Sequence, residues 1–468
     1  MIPRFVRPFV AAGLLVSSAG CGGGGDPASP TDWTQQVDVV VSDVVPTVVQ
    51  VSWTSAEPTI GWVAYGPAHP TGLRLPLGFS TGRDPVPTTE HNVLVLGLQE
   101  QSRYQLEIWN EGDGEAASTQ GMVTETGALP AFASSTLTSA GEGSGAGGFT
   151  LASVIGSPAD QHLAIFDEHG RYVWAFQPEQ ATIAPRARLS RDGRSLLYLD
   201  SVSYPDEIGA LWQVSLDGHD VRKLWELEGA FMDFVEIEPG LVAVIAVELV
   251  ELDGGARTLA MDHILEIDDQ GGKRTLWDAF ESLDLDLEST YPMNLFGEGV
   301  EIPVHLNSLS YHPEQDMLYT TSAALRAAIA VHRSAGELAW VLAARDGDFE
   351  GGEDMELVFD PHSAEWIDGG VLVFDRHGEL DGCSGAIAFQ LDLHGMQAAR
   401  SWEYSAEDCV STDILGNAQP LWNGNTMLVL AMAGRIDEVT PGGEVVWRMD
   451  SGFGTAFAYA ERFESFYR

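Results

Sequence analysis

HLNSLSYHPEQDMLYTTSAALRAAIAVHRSAGELAWV, residues 305–341, is the stretch whose reading decides the fold. It alternates apolar and polar over 305–311, runs again as a short strand over 316–321 and 327–332, and then reaches a turn at Gly336 with Trp340 four residues on. Period-two alternation in short runs cut by turn residues is the pattern of an antiparallel sheet. The closing Gly-then-Trp signature recurs. Trp174, Trp225, Trp277, Trp402 and Trp447 follow Gly170, Gly218, Gly272, Gly395 and Gly443. Successive tryptophans are 51, 52, 63, 62 and 45 residues apart, each the amount of chain that one four-stranded sheet consumes. Six such units over 149–468 predict an all-β, six-bladed β-propeller. The C-terminal AERFESFYR is expected to add a closing strand to the first blade and so remove its free edge.

Upstream of the repeat, residues 36–127 carry alternating runs (VDVVVS, VVQVSW, IGWVAYG, HNVLVLGL, YQLEIWN) and residues 128–148 read as a linker. Leu98, Tyr104 and Leu106 are spaced as at the end of a fibronectin type III sandwich, which 36–127 resembles. Residues 21–35 are Gly-, Pro- and Ser-rich and read as a flexible tether. Residues 1–20 have Arg4 and Arg7, an apolar run and then small residues, the layout of a secretory signal peptide. Ser18-Ala-Gly-Cys21 resembles a bacterial lipobox, with Ser18 where Leu is usual. The expectation is therefore export with a lipid on Cys21, plain cleavage being the alternative. Gly22 after the Cys favours the outer membrane by resemblance to lipoprotein sorting rules.

The 468 residues carry a formal net charge of −45, which makes nucleic acid and anionic lipid surfaces poor partners; any membrane association is expected through the lipid alone. Small anions are repelled as well unless a pocket is locally positive. Besides Cys21 the cysteines are Cys383 and Cys409, inside one repeat of an exported chain, and they read as a disulfide. The acidic run 345–354 lacks the spacing of a calcium loop and reads as a solvated turn. His312, His332, His377 and His394 fall near turns and outer strands. There is no GxSxG, no HExxH and no phosphate-binding Gly loop.

Counting back from each second strand puts Met232, His305, His362 and about Gly416-Asn417 at equivalent places on the inner strands. Period two then puts Asn307 on the face of His305. Two imidazoles and an amide converging on a channel mouth are hard to explain as packing.

The segments VHLNSLSYHPEQDMLYTTS, GELAWVLA, FDPHSAEWIDGGVLVFDRHG, GNAQPLWNGNTMLVL and GEVVWRMD resemble the arylsulfate sulfotransferase family. The resemblance implies a propeller enzyme that moves a sulfuryl group from an aryl sulfate to a phenol, without metal or cofactor. It implies His362 as nucleophile, with His305 and Asn307 as its partners. Two positions depart from the family pattern: Met232 stands where a further histidine is expected, and Ala323 where an arginine is expected. Arg326 lies three residues on, facing another way unless a bulge re-aims it, and Arg326 and Asn417 are the weaker substrate-binding candidates. The alternative is a non-catalytic module that binds a glycan, peptide or small molecule in the same pocket; a purely architectural role is a third.

Overall fold

Each outer strand of the repeat carries its tryptophan at the same irregularity. In all six outermost pairings the register slips by one immediately before the indole, leaving Val173, Leu224, Leu276, Ala339, Ser401 and Val446 as the extra residues. A bulge increases local twist and re-aims the side chain beside it. Three of the indoles thereby reach the next blade. Trp174 Nε1 donates to Leu216 O at 2.7 Å, Trp402 Nε1 to Pro441 O at 3.1 Å and Trp447 Nε1 to Glu168 O at 2.7 Å. All but Trp402 are buried, and truncating a buried indole to Ala costs about 3–5 kcal/mol. The tryptophans are thus latches between blades as well as a ruler along the chain.

The computed structural model describes residues 34–467 apart from 74–75, 120, 134–137, 141–144, 157–160, 180–185, 203–204, 286, 288–290, 292–294, 344–345, 352–359, 377–381, 407–408 and 452–455. The signal peptide, the tether and Cys21 lie outside the described residues. Six sheets surround a channel, all antiparallel but for the short parallel pairing of Val300–Glu301 in blade three. Their inner strands are Ala456–Phe463 in blade one, Arg186–Leu189 in two, Ala230–Glu238 in three, Leu306–His312 in four, Pro361–Ile367 in five and Asn417–Pro420 in six. The C-terminal strand Ala456–Phe463 pairs with Phe149–Ile155 and closes blade one, as the sequence predicts. A second closure was not foreseen: Thr138–Ala140 pairs with Val445–Asp450 and covers the outer edge of blade six. Blade three has the longest hairpin, Leu241–Leu252 on Arg257–Asp268.

Residues 34–125 form a small β domain. VVQVSW and IGWVAYG are read from sequence as two strands, but they belong to one, Val49–Pro67. Its first half pairs with Thr34–Val41 and Thr88–Val95, its second with Arg103–Gly112. Between the two runs the pairing with Thr88–Val95 shifts register from Thr54 to Thr59. The Tyr104 hydroxyl accepts from the Gln99 N–H at 2.9 Å, a link that pins the chain entering this strand pair. Val45, Val48 and Leu96 share one apolar cluster with Leu151, Trp174 and Phe466 of the propeller. Tyr467 Oη donates to Leu94 O and accepts from Leu96 N–H, so the end of the closing strand is fastened to the small domain. Among the described residues no helix is long and apolar enough to cross a membrane.

Candidate active site

The inner strands of blades four and five each hold one residue too many for their partners. Leu306 pairs with Ser322 and Ser308 with Thr321, which leaves Asn307 extra; Pro361 pairs with Asp375 and Ser363 with Phe374, which leaves His362 extra. His362 therefore matches Asn307, and His305 matches Asp360. This corrects the equivalence of His305 with His362 drawn from the sequence. Counting back from the second strand ignored the hairpins, which differ by two residues: 313–316 turns blade four and 368–369 turns blade five.

His305 is buried and lies in the left-handed region at φ 55°, a conformation uncommon for a residue with a Cβ. What holds it there is Asp262, from the long hairpin of blade three. One carboxylate oxygen accepts from His305 N–H at 2.9 Å and the other from Leu306 N–H at 3.1 Å. Burial pushes this carboxyl up to about 7, with the two N–H groups pulling the other way. The imidazole stacks on Tyr291 at 4.9 Å and tilts against Phe231 at 5.9 Å. Its Nδ1 has no hydrogen-bond partner among the described residues. Burial first, and the Arg376 charge second, depress its pKa to about 3, so it is neutral at physiological pH.

His362 is also buried, and its tautomer is fixed. Nδ1 lies 3.0 Å from Gly416 O, a carbonyl that can only accept, so the proton sits on Nδ1 and the lone pair on Nε2. Nε2 is buried without a partner among the described residues. Burial and the charge of Arg376 hold this imidazole well below the usual value. The Tyr459 ring lies 5.9 Å away, and the Arg186 guanidinium sits over the other side of that ring at 4.4 Å. The Tyr459 hydroxyl likewise has no partner among the described residues.

The structure brings Asn307 beside His362 but commits its amide. Nδ2 donates to Pro361 O at 2.8 Å, and Oδ1 accepts from Thr321 Oγ1 at 2.5 Å. Asn417 is committed too, through Nδ2 to Ala460 O and Oδ1 from Ala460 N–H. Arg326 is exposed on the turn after Met317–Ser322. Met232, at φ 57°, is half-buried against the apolar cluster of Phe231, Phe296 and Ile302, and Ala323 donates its N–H to His305 O at 3.1 Å. Cys383 and Cys409 are joined at 1.95 Å and link the segments before Gly385–Asp392 and after Gln397–Ser405. Among the described residues no cluster of His, Cys, Asp or Glu could hold a metal ion. In the acidic run, Asp348 accepts from Val341 N–H.

Sequence reasoning missed Arg376. It is 3% exposed and its charge acts on both imidazoles. Its Nη2 donates to Asp360 at 2.5 Å and to Tyr291 Oη at 3.2 Å, while Nε has no partner among the described residues. Its backbone N–H donates to Asp360 O at 3.0 Å, as Ala323 N–H does to His305 O. Arg376 thus holds in blade five the register of Ala323 in blade four. The signal was present, since LVFDR and YTTSA end the two second strands alike.

The sequence profile of the family described as Arylsulfotransferase (ASST) matches residues 136–452. No curated protein matches the chain. Among solved structures it is similar to a protein of unknown function from Bacteroides caccae, at 16% identity over 67% of this chain and 98% of that one, TM-score 0.39. It is also similar to a putative 6-phosphogluconolactonase from Bacteroides uniformis, at 12% identity over 68% and 100%, TM-score 0.39. A third is a virginiamycin B lyase from Staphylococcus aureus, at 11% identity over 66% and 87%, TM-score 0.36.

Proposed function

The chain belongs to the arylsulfotransferase family, and from that premise we propose that it passes a sulfuryl group from an aryl sulfate to a phenol through a sulfohistidine on His362. The observation that carries this reading is the hydrogen bond from His362 Nδ1–H to Gly416 O, which leaves a buried Nε2 lone pair with no partner among the described residues. A neutral imidazole is a competent nucleophile, and covalent catalysis splits one difficult transfer into two easier ones. In the first step Nε2 forms a bond to sulfur as the sulfur–aryl oxygen bond breaks, and the aryl oxide departs with that electron pair. In the second the acceptor phenol's oxygen forms a bond to sulfur, the N–S bond breaks and His362 regains its lone pair.

The acceptor's proton must leave as its oxygen attacks. His305 is the group suited to relay it, for it is neutral and its Nδ1 is unengaged among the described residues. A base held so far below its ordinary pKa does not keep a proton, so His305 hands the phenol's proton on to solvent, and the aryl oxide released in the first step takes its proton from solvent, which balances the two half-reactions. Asn307 acts at one remove by tying the bulge of blade four to Pro361, the residue before His362. Export, with a lipid on Cys21, belongs to the same proposal and is supported by the sequence at 1–21; membrane partitioning lost in Cys21→Ala tests it.

A non-catalytic binding module is the second reading, favoured by the commitment of the Asn307 amide to backbone and Thr321. The discriminating experiment is release of 4-nitrophenolate from 4-nitrophenyl sulfate with phenol as acceptor, paired with mapping of acid-labile sulfate on His362. Turnover lost in His362→Ala, with the labelled residue trapped in the wild type, is expected. Ester binding without turnover would leave only the binding reading.

A further inference from the structure

Three buried polar atoms have no partner among the described residues: His305 Nδ1, His362 Nε2 and Arg376 Nε. Tyr291 joins two of their residues, stacking on the His305 ring at 4.9 Å and accepting from Arg376 Nη2 at 3.2 Å, and the Arg376 charge acts on both imidazoles. The three atoms are not alike. His362 Nε2 presents an electron pair, so it is matched by an electron-poor centre. Arg376 Nε–H can only donate, so it is matched by an acceptor oxygen. An electrophilic atom carrying anionic oxygens satisfies both at once. A neutral ligand with a single polar atom does not. A buried donor left unmade is costly, and a ligand oxygen would satisfy it.

The charge on this arginine is compensated before any ligand arrives. Asp360 holds Nη2 at 2.5 Å from within the same blade, and Tyr291 Oη lies against the same nitrogen. Among the described residues, other charged and titratable groups near the imidazoles include Asp262, which accepts from His305 N–H, the buried Asp375, which accepts from Asp360 N–H, and Tyr459 with Arg186 over its ring; Arg186 is itself paired with Asp233. The Arg376–Asp360 pair therefore offers one directed N–H from a cation whose charge is matched by a carboxylate. We propose that the Arg376–Asp360 pair is the sulfuryl-binding element of this chain and restricts the site to singly charged esters, excluding the dianionic phosphate monoesters of the same shape.

The inference rests on the sulfuryl-transfer reading for its ligand but is tested by binding alone. The full chain in a His362→Ala background, which prevents turnover, is titrated calorimetrically with 4-nitrophenyl sulfate and 4-nitrophenyl phosphate at pH 8, where the phosphate ester is dianionic. The sulfate ester is expected to bind, and Arg376→Gln to weaken it about 10- to 100-fold, the range for losing one charge-assisted hydrogen bond. Arg376→Lys, which keeps the charge but not the directed Nε–H, should fall between. Asp360→Asn should raise the affinity for the phosphate ester relative to the sulfate ester at least about tenfold. Thermal melts of each variant separate loss of binding from loss of fold. Sulfate-ester binding unchanged in folded Arg376→Gln or Arg376→Lys overturns the binding role, and an unchanged ratio in Asp360→Asn overturns the charge filter. Tight binding by a wild type that never turns over would refute the catalytic proposal and leave this one standing.

Discussion

If His362 attacks as a neutral imidazole whose pKa is depressed, the first chemical step should be indifferent to acid over a range that disables an ordinary histidine. At pH 5 an imidazole of pKa about 6.5 is only about 3% neutral, so a rate that depends on it falls about 25-fold from its value at pH 7. His362 is held well below 6.5 by burial, reinforced by the charge of Arg376, and His305 is brought to about 3 for the same reasons in the same order. His305 is then neutral at pH 5, and the prediction is that His362 is neutral there too. The expected loss between pH 7 and pH 5 is then less than about twofold in kcat/KM. The assay is nitrophenolate release in buffers from pH 5 to 8, each sample quenched into alkali so that the product is read fully ionised. Two carboxyls near the site can titrate in this window. Burial pushes Asp262, which holds the His305 backbone, and Glu365, on the strand of His362, up to about 7, so the profile is measured in Asp262→Asn and Glu365→Gln as well. A limb near 6.5 that persists in both variants would mean His362 titrates like a solvated imidazole, and the argument from burial would fail.

Asp262→Ala leaves two buried N–H groups without acceptors and releases His305 from its left-handed backbone. It should lower stability by about 2–3 kcal/mol by urea denaturation and also reduce kcat. Stability itself carries a signature of this carboxyl. Its folded pKa lies above the unfolded 3.8, so the native state binds more protons, and its contribution is lost as pH rises from about 4 to about 7; Asp262→Asn should lack that decline. Trp174→Phe removes the 2.7 Å bond to Leu216 O and should cost about 1–2 kcal/mol in the same assay, with kcat unchanged. The net charge of −45 repels an anionic ester during approach, so kcat/KM should rise about two- to fivefold between low salt and about 0.5 M, and a fall would contradict it.

What the sequence disclosed about the fold were the features that repeat. The Gly–Trp signature located all six outer strands, and period-two alternation located the inner strand of blade four. What stayed hidden were single-residue irregularities. The bulges at Asn307 and His362 change no composition and only one step of alternation, and the hairpins of the two blades differ by two residues, which is why His305 was matched to His362 and not to Asp360. The long strand Val49–Pro67 escaped because Pro58 reads as a break, and here it falls at a register shift between paired halves. Of the site, the two histidines were legible because imidazoles are rare on an inner strand. Arg376 was not: an arginine at the end of a second strand looks like a surface residue until the register shows it turned inward. Asp262 comes from another blade and leaves no mark near His305 in the sequence.

The chemistry and the closure of the propeller are also one structure. Around the channel each blade is tied to a neighbour by a polar contact from its inner strand. Asp233 of blade three receives Arg186 of blade two and the N–H of Leu309 in blade four. Asn307 joins four to five, His362 joins five to six through Gly416, Asn417 joins six to one through Ala460, and Arg186 over Tyr459 joins two to one. Buried polar links of this kind add little net stability, because desolvation offsets what they gain, but a broken member leaves its partner unsatisfied and so fixes a single arrangement. The five-to-six link is made by the ring proposed to react. Its direction follows from ring closure and not from a local loop, so a change at the six-to-one seam, such as loss of the Asn417 amide, reaches Nε2 through Gly416 without touching a substrate. A nucleophile held in this way is pre-organised by the fold, and the left-handed backbone at His305 is held by the same means, with Asp262 reaching from blade three into blade four.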